Sequence, residues 1–422
     1  MRKSGGRART AGAKSTGGVV GVPLLRCPGS EVGNRGRTNA VTEGACRATI
    51  DLAGLRGNLG LARERAGGRE VIPVVKADAY GHGAAAVARC LESEGCRRQA
   101  VVTAEEGAAL REAGIRGEIL VMGGLGDARE SQLAAAHGLC PVIHHPESLA
   151  WAREAGARRE EPLEVHLEVD TGMRRMGIEH ERAAEFAGEV AGTRGLRWAG
   201  TYTHFASADS ADPAACLEQI RLFRGVLGQM RERGLDPGLV HAANSSALLA
   251  GAELLEALPE ADAVRPGLML YGACAAPHED PERRLQPVMS VQTRVLAVRR
   301  LSAGEAVGYG STWRAEGSVR VAILALGYAD GVMRSLSNRG EVWLAGARRP
   351  VVGRVSMDSM AVAVTDPSPE IAVGDLATFF GKPPEGGAGI RVEDQAEAAG
   401  TLAYELLVRV GGRVPRTFVG AD

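Results

Sequence analysis

The chain has 422 residues, 45% of them apolar and 24% charged, and a formal net charge of −1. That length allows two domains and a large core, and near-neutrality gives the chain as a whole no electrostatic case for nucleic acid or an acidic membrane surface. Seven cysteines, odd in number and without a C-x-x-C pair, point to reduced thiols in a cytoplasmic protein, and no apolar run is long enough to span a membrane.

Residues 1–46 are rich in Gly, Arg, Ser and Thr and nearly free of carboxylates. "VVGVPLL" (19–25) is broken by Gly21 and Pro23, so the segment reads as a disordered basic extension rather than a signal core. From Arg47, "ATIDLAGLRGNLGLARERAG" reads as a short strand entering an amphipathic helix. Eight short apolar runs then alternate with helical stretches: 70–76, 99–103, 117–123, 139–144, 163–170, 196–205, 239–244 and 262–272. Glycines such as Gly95 and Gly234 close the intervening helices. Eight units over about 220 residues predict an α/β fold, a (β/α)8 TIM-type barrel over 47–279. A doubly wound sheet would carry a glycine fingerprint in its first turn, which "VVKADAYGHG" is not; "MGGLGDAR" has the wrong spacing and reads as a plain loop. Residues 280–422 change grammar to strand-like runs broken by Gly, Asp, Asn and Pro. They predict a mainly β C-terminal domain closed by one helix from about Val392 to Leu407.

In such a barrel the chemistry sits at the C-terminal ends of the strands. Lys76 ends the first, where desolvation would lower its pKa and suit a nucleophilic amine or a Schiff base; a lysine snorkelling to the rim is the structural alternative. The fifth strand ends in "HLEVDTGMRRMG" with Glu168, Asp170 and Arg175, and the sixth in "YTHFASAD" with His204. The seventh ends in "HAANSSALL", where Asn244, Ser245 and Ser246 cap a helix, and the eighth carries Arg265 before Pro266 and Gly267. A helix N-terminus beside a glycine after the eighth strand is where such barrels hold phosphate. A Schiff-base lysine opposite a phosphate cradle describes a pyridoxal phosphate site, in which Arg265 would face the pyridine nitrogen; a structural salt bridge is the alternative for that arginine.

With these motifs in order, the sequence from about Arg47 onward resembles bacterial alanine racemase, a fold-type III pyridoxal phosphate enzyme. The resemblance rests on "VVKADAYGHG", "DTGMRRMG", "THFASAD", "ANSSAL", "RPGLMLYG", "VGYGSTW", "LGYADG", "GRVSMDSM" and "GGRVPR". It implies pyridoxal 5'-phosphate as cofactor, racemisation of alanine for peptidoglycan, and a head-to-tail homodimer with shared sites, without nucleic acid or membrane partners. By the same resemblance Lys76 carries the cofactor and is one base, and Tyr309 is the second, reaching in from the other subunit. Tyr80, Asn244, Ser245, Gly267, Leu268 and Tyr404 fall on the phosphate side, Arg265 at the pyridine nitrogen, and His204 packed nearby. Arg175 and the backbone of Met357 match substrate-carboxylate contacts, Tyr328 narrows the entrance, and Glu168 and Asp358 are supporting carboxylates.

Two positions depart from the pattern. Glu168 stands where many members carry a carbamylated lysine, and is expected to orient Arg175 by a charge-assisted pair, so that its loss raises KM. Ser356 stands where cysteine is common, and no consequence follows from the residues. His204 bonded to Arg265 is the expected chain tuning Tyr309 downward from the usual phenol range. His144 and His145 lack a third ligand at suitable spacing, so no metal is expected. Racemisation of serine or of a broader range of amino acids is the alternative. A non-catalytic carrier would lack the second domain, and decarboxylases match less well at "DTGMRRMG" and "VGYGSTW". Deleting residues 1–40 is expected to leave turnover intact; lost turnover in the truncated chain would assign the basic segment a role.

Overall fold

Strands buried on both faces are apolar along their whole length, and the eight runs identified above form one closed ring for that reason. The computed structural model describes residues 44–365 and 370–420; the extension expected over 1–46 lies almost entirely outside them. The chain enters through β1 (Cys46–Asp51) and α1 (Leu52–Ala66). The barrel strands follow: β2 (Glu70–Val71), β3 (Arg98–Val101), β4 (Glu118–Val121), β5 (Cys140–Ile143) and β6 (Leu163–Asp170). After the short β7 (Ile178–Glu179), which pairs only with β6, come β8 (Leu196–Tyr202), β9 (Leu239–Ala242) and β10 (Ala263–Val264). They are parallel and ordered β2-β10-β9-β8-β6-β5-β4-β3. A parallel bridge between Val74 and Ala100 closes the ring, with Val75 N–H donating to the Ala100 carbonyl at 2.8 Å. The expected barrel is therefore present, and all its strands end on one face.

The second sheet comprises β11 (Met289–Leu301), β12 (Val319–Leu324), β13 (Glu341–Leu344), β14 (Ala347–Val352), β15 (Met360–Val364), β16 (Leu376–Phe380) and β17 (Arg416–Val419), together with β1. Here β1 lies antiparallel to β11 and parallel to β17. Cys46–Asp51, which the sequence pattern places at the head of the barrel, thus belongs to the C-terminal sheet. Alternation along six residues identifies a strand but not its partner. The 13-residue β11 changes register at two bulges, between Val291 and Gln292 and between Val295 and Ala297, and so pairs with β1, β12 and β16. The single helix expected over 392–407 is two, Val392–Ala399 and Ala403–Arg409, because Gly400 adopts φ 73 and ends the first.

The run 70–76 also stops being a strand early, and what replaces it builds the site. Ala77, Asp78, Ala79 and Tyr80 all have φ between 52 and 54, a left-handed turn. Each non-glycine residue held there costs roughly 1–2 kcal/mol. Glu106 accepts from Ala77 N–H at 2.6 Å and Asp78 Oδ1 from Ala84 N–H at 2.7 Å. The buried His82 lies with Nδ1 3.0 Å from the carbonyls of Ala79 and Tyr80, to which it donates. From the C-terminal sheet, Arg416 donates to the Gly81 carbonyl at 3.0 Å. Gly81 itself has φ 80, and a Cβ there would stand 2.4 Å from the Leu407 carbonyl oxygen. Gly81→Ala is expected to lose about 1–3 kcal/mol of unfolding free energy. Gly60→Ala, within α1 and facing open space, should gain roughly 0.5–1 kcal/mol. Urea unfolding of both variants checks the pair.

Candidate active site

Arg265, just past β10, is buried at the barrel mouth and is held on three sides. Its guanidinium donates to the Thr203 carbonyl at 2.9 Å and to His241 Nδ1 at 2.8 Å, and lies 3.4 Å from His204 Nδ1. Its Cζ stands 4.5 Å above the ring of the fully buried Tyr202. Guanidinium has only donors, so the tautomers beneath it follow. His241 must accept at Nδ1 and carry its proton on Nε2, which donates to His166 Nδ1 at 2.7 Å. His166 Nε2–H then faces Glu118 Oε1, 3.7 Å away. Burial, then the neighbouring arginines, push His166 and His204 down to about 3 and His241 well below its usual value, so all three are neutral. Arg265 Nε is buried and unpartnered in the protein.

Lys76 opens the left-handed turn. Burial lowers its pKa, the nearby Arg175 lowers it further, and Glu106 opposes both. Part of its population is therefore driven toward the free amine, the form that accepts a proton or attacks a carbonyl. On the opposite side Asn244 caps the short helix Ser245–Leu249, accepting from Ala247 N–H at 3.0 Å. Ser245 Oγ accepts from the N–H groups of Gly267 and Met269 at 2.9 and 3.2 Å. Position 267 has no room for a side chain, since a Cβ would meet Tyr80 Oη at 2.4 Å. The Tyr404 ring lies 6.0 Å from that of Tyr80, between centroids, and Leu268 is buried at the start of the turn Leu268–Tyr271. Burial raises both phenols, Tyr404 to about 12, so each stays a protonated donor. Tyr80, Asn244, Ser245, Gly267, Leu268 and Tyr404 thus come from four segments of the chain, linked by the Ser245–Gly267, Gly267–Tyr80 and Tyr80–Tyr404 contacts.

The remaining expected residues gather elsewhere. Tyr328 N–H donates to the Ser356 carbonyl and Ala329 N–H to that of Met357, each at 3.0 Å, which joins "LGYADG" to "RVSMD". Tyr309 and Ser356 line a hollow of about 500 Å³ with Arg354 and Met360. Tyr309 is 73% exposed, and Tyr328 and Met357 are exposed as well. Asp358 pairs with Arg413 at 2.8 Å, and Arg413 also holds the buried Asp330 at 3.2 Å. Among the described residues no hydrogen bond joins Tyr309 to Lys76 or His204, so the expected tuning chain ends at Arg265 within one protomer.

One expectation is overturned. Glu168 does not pair with Arg175; its Oε2 accepts from the Tyr202 hydroxyl at 2.8 Å and lies 3.0 Å from His144 Nδ1. The reason is direction. Glu168 points inward from β6 and is buried, whereas the following loop is pinned by Asp170 Oδ1, which accepts from Gly172 and Arg174 N–H and leaves Arg175 exposed. His144 and His145 also diverge: His145 caps the helix Pro146–Gly156 while His144 is buried against Glu168. Sequence reasoning missed Tyr202, His166 and His241, polar residues within apolar strands; that anomaly is the signal that could have found them. Donor atoms of Glu118, Cys140 and His166 lie within 4.8 Å of one another, but Arg98, 2.8 Å from Glu118, already answers that carboxylate's charge.

The family model described as alanine racemase, N-terminal domain, matches residues 50–275, and that for the C-terminal domain matches 288–418. The chain is 39% identical to an alanine racemase of Carboxydothermus hydrogenoformans, over 88% of this chain and 99% of that one. It is 40% identical to one from Treponema pallidum, over 89% and 100%. Among solved structures, the alanine racemase of D-cycloserine-producing Streptomyces lavendulae superposes with a TM-score of 0.83 at 33% identity, covering 90% of this chain and 98% of that one. The Bartonella henselae alanine racemase with covalently bound pyridoxal phosphate gives 0.78 at 28%, covering 89% and 100%.

The buried histidines make acid stability predictable. His82, pushed down to about 4 by burial, joins His166, His204 and His241 as groups whose folded pKa lies below the unfolded value near 6.5. The unfolded chain therefore binds their protons first, and the stability present above about pH 6.5 falls as pH drops toward 4. Each contributes a slope of about 1.4 kcal/mol per pH unit. Urea unfolding at pH 7, 6 and 5 should show this decline, and His166→Gln should flatten it by one proton's worth.

Proposed function

Since the chain belongs to the alanine racemase family, we propose that it interconverts L-alanine and D-alanine with pyridoxal 5'-phosphate as its cofactor. The observation that carries this reading is Arg265. A buried, donor-only guanidinium with an unpartnered Nε sits at the barrel mouth, which also carries the pocket of Tyr80, Ser245, Gly267, Leu268 and Tyr404 and the depressed amine of Lys76. That donor set fits the group: neutral phenols, a hydroxyl and backbone N–H groups for a phosphate, a guanidinium for a ring nitrogen, and a lysine for its aldehyde. Bound there, the cofactor draws electron density from the substrate's Cα–H bond and so acidifies it.

The chain's own residues do the rest. Lys76 Nζ, its hold on a proton weakened by burial, accepts from one face of Cα. Tyr309 Oη serves the other face, and inversion needs both. Arg265 cannot give up its proton at working pH, so it holds a fixed charge instead of acting as an acid. Arg175 and the backbone of Met357 hold the substrate carboxylate, and Tyr328 restricts the entrance to a small side chain. Tyr309 is too exposed in one protomer to act there. A second copy, packed head to tail, would cover Tyr309, Tyr328 and Met357 with the mouth of its barrel and complete two shared sites. In the cytoplasm such an enzyme supplies D-alanine for peptidoglycan.

The purified chain, loaded with pyridoxal phosphate, is assayed for change of chirality on L- and D-alanine beside serine and lysine. Equal approach to the racemate from either alanine isomer is expected; unchanged chirality would overturn the reading. Tyr309→Phe should lose about 10²–10⁴ in rate, as for a missing acid–base group, with cofactor absorbance intact. Lys76→Ala should lose absorbance and activity together. Mixing these two inactive variants under conditions that exchange subunits should restore turnover, because one site of the mixed dimer keeps both bases; no restoration would argue against shared sites.

A further inference from the structure

A buried charge beside the Arg265 cluster has no part in the reaction above. Glu168 lies at the end of β6 with its side chain 6% exposed, and an ionised carboxylate there needs partners. The Tyr202 hydroxyl donates to it, and His144 Nδ1 stands 3.0 Å away. Burial alone would raise its pKa, but His144, Tyr202 and the charge of Arg265 bring it below the usual carboxylate range. Tyr202 is pushed the other way by burial and by Glu168, so its O–H remains a donor. The direction of the bond is therefore fixed, from phenol to carboxylate.

What Tyr202 supports is the guanidinium. Its ring lies 4.5 Å beneath Arg265 Cζ, and it stacks at 4.7 Å on His241, which itself accepts from Arg265. Tyr202 thus touches both Arg265 and that residue's principal side-chain acceptor. His144 is packed into place by the loop that the sequence pattern leaves without a purpose, "MGGLGDAR". Gly124 has φ 73, and a Cβ there would lie 2.1 Å from His144 Cδ2. Only glycine at 124 lets the imidazole reach the carboxylate.

We propose that Glu168, held by His144 over Gly124, is a positioning residue that anchors Tyr202 as the platform for the Arg265 guanidinium. This rests on the reading of Arg265 as the cofactor's ring-nitrogen partner. It reverses the consequence expected for Glu168 from its sequence position: loss of the carboxylate acts on turnover through Arg265, not on substrate affinity through Arg175.

The test uses the pyridoxal phosphate-loaded protein and the variants Glu168→Leu, Glu168→Gln, Tyr202→Phe and the double Glu168→Leu/Tyr202→Phe. Glu168→Leu and Tyr202→Phe should each lower kcat for alanine between about ten- and a hundredfold, the scale of a small misplacement at a reacting centre. KM should stay within about twofold, since an interaction felt only in the transition state leaves it alone. Both should shift the visible absorbance maximum of the bound cofactor. The double variant should be no worse than either single one, because both remove the same anchor. Glu168→Gln, which still accepts from Tyr202, should recover most of the loss. A raised KM with unchanged kcat, additive losses, or an unmoved spectrum would overturn the proposal. Tyr202→Phe keeps the ring's shape, so it remains informative should Glu168→Leu fail to fold. The absorbance shift needs no turnover: a wild-type chain that binds the cofactor but does not racemise alanine defeats the functional reading alone. Unmoved spectra beside normal wild-type racemisation defeat only this one.

Discussion

A left-handed turn of four consecutive L-residues, Ala77 to Tyr80, is the constraint on which the rest of the site depends. It runs from Lys76, whose pKa is lowered by burial and then by Arg175, to Tyr80, whose phenol lies against Gly267. Such a turn is unfavourable at every residue and persists only where its surroundings over-determine it. Those surroundings come from both parts of the molecule: Glu106 after β3, His82 within the turn's own loop, and Arg416 and Leu407 from the C-terminal segment. The barrel therefore does not hold its own lysine in place alone. Pairing of β1 with β11 and β17 has the same effect from the other direction, tying the chain's entry into the barrel to its last strand.

A second constraint runs through the barrel interior. Because Arg265 can only donate, it dictates the tautomer of His241, which dictates that of His166, down to Glu118. Burial keeps each of these imidazoles neutral, so the guanidinium is the fixed charge of the group. The ring of Tyr202 lies beneath the same guanidinium, and its hydroxyl donates to Glu168. Arg265 is thus located by two sets of contacts, which meet where Tyr202 stacks on His241.

The two halves of the site differ in exposure for a physical reason. Arg265, Tyr80 and Ser245 are buried and converge on the barrel mouth, while Tyr309, Tyr328 and Met357 stand out from the C-terminal part. Large exposed apolar and aromatic groups grouped on joined loops mark a surface that is covered in the working molecule. The second copy proposed above would cover the exposed half with a barrel mouth.

Much of this was legible in the linear chain. Apolar runs alternating with helical stretches name the barrel and its eight strands, because strands buried on both faces are mostly apolar. The glycine after the eighth strand, the capping Asn244 and the lysine at the end of an apolar run raise the expectation of a phosphate pocket and a reactive amine through local chemistry alone. Contacts between segments far apart in the chain could not be read. The run 70–76 gives no sign of the left-handed turn that follows it, against which Arg416 and Leu407 pack, and the short strand at Cys46–Asp51 does not name β11 and β17 as its partners. Glu168 seven residues before Arg175 suggests a pair by proximity in sequence. Its true partners, His144 and Tyr202, lie on neighbouring barrel strands or just beyond them, and only the closed sheet brings them within hydrogen-bonding reach. Residue type and local order determined which chemistry the chain can perform; strand pairing and burial decided which groups meet to perform it.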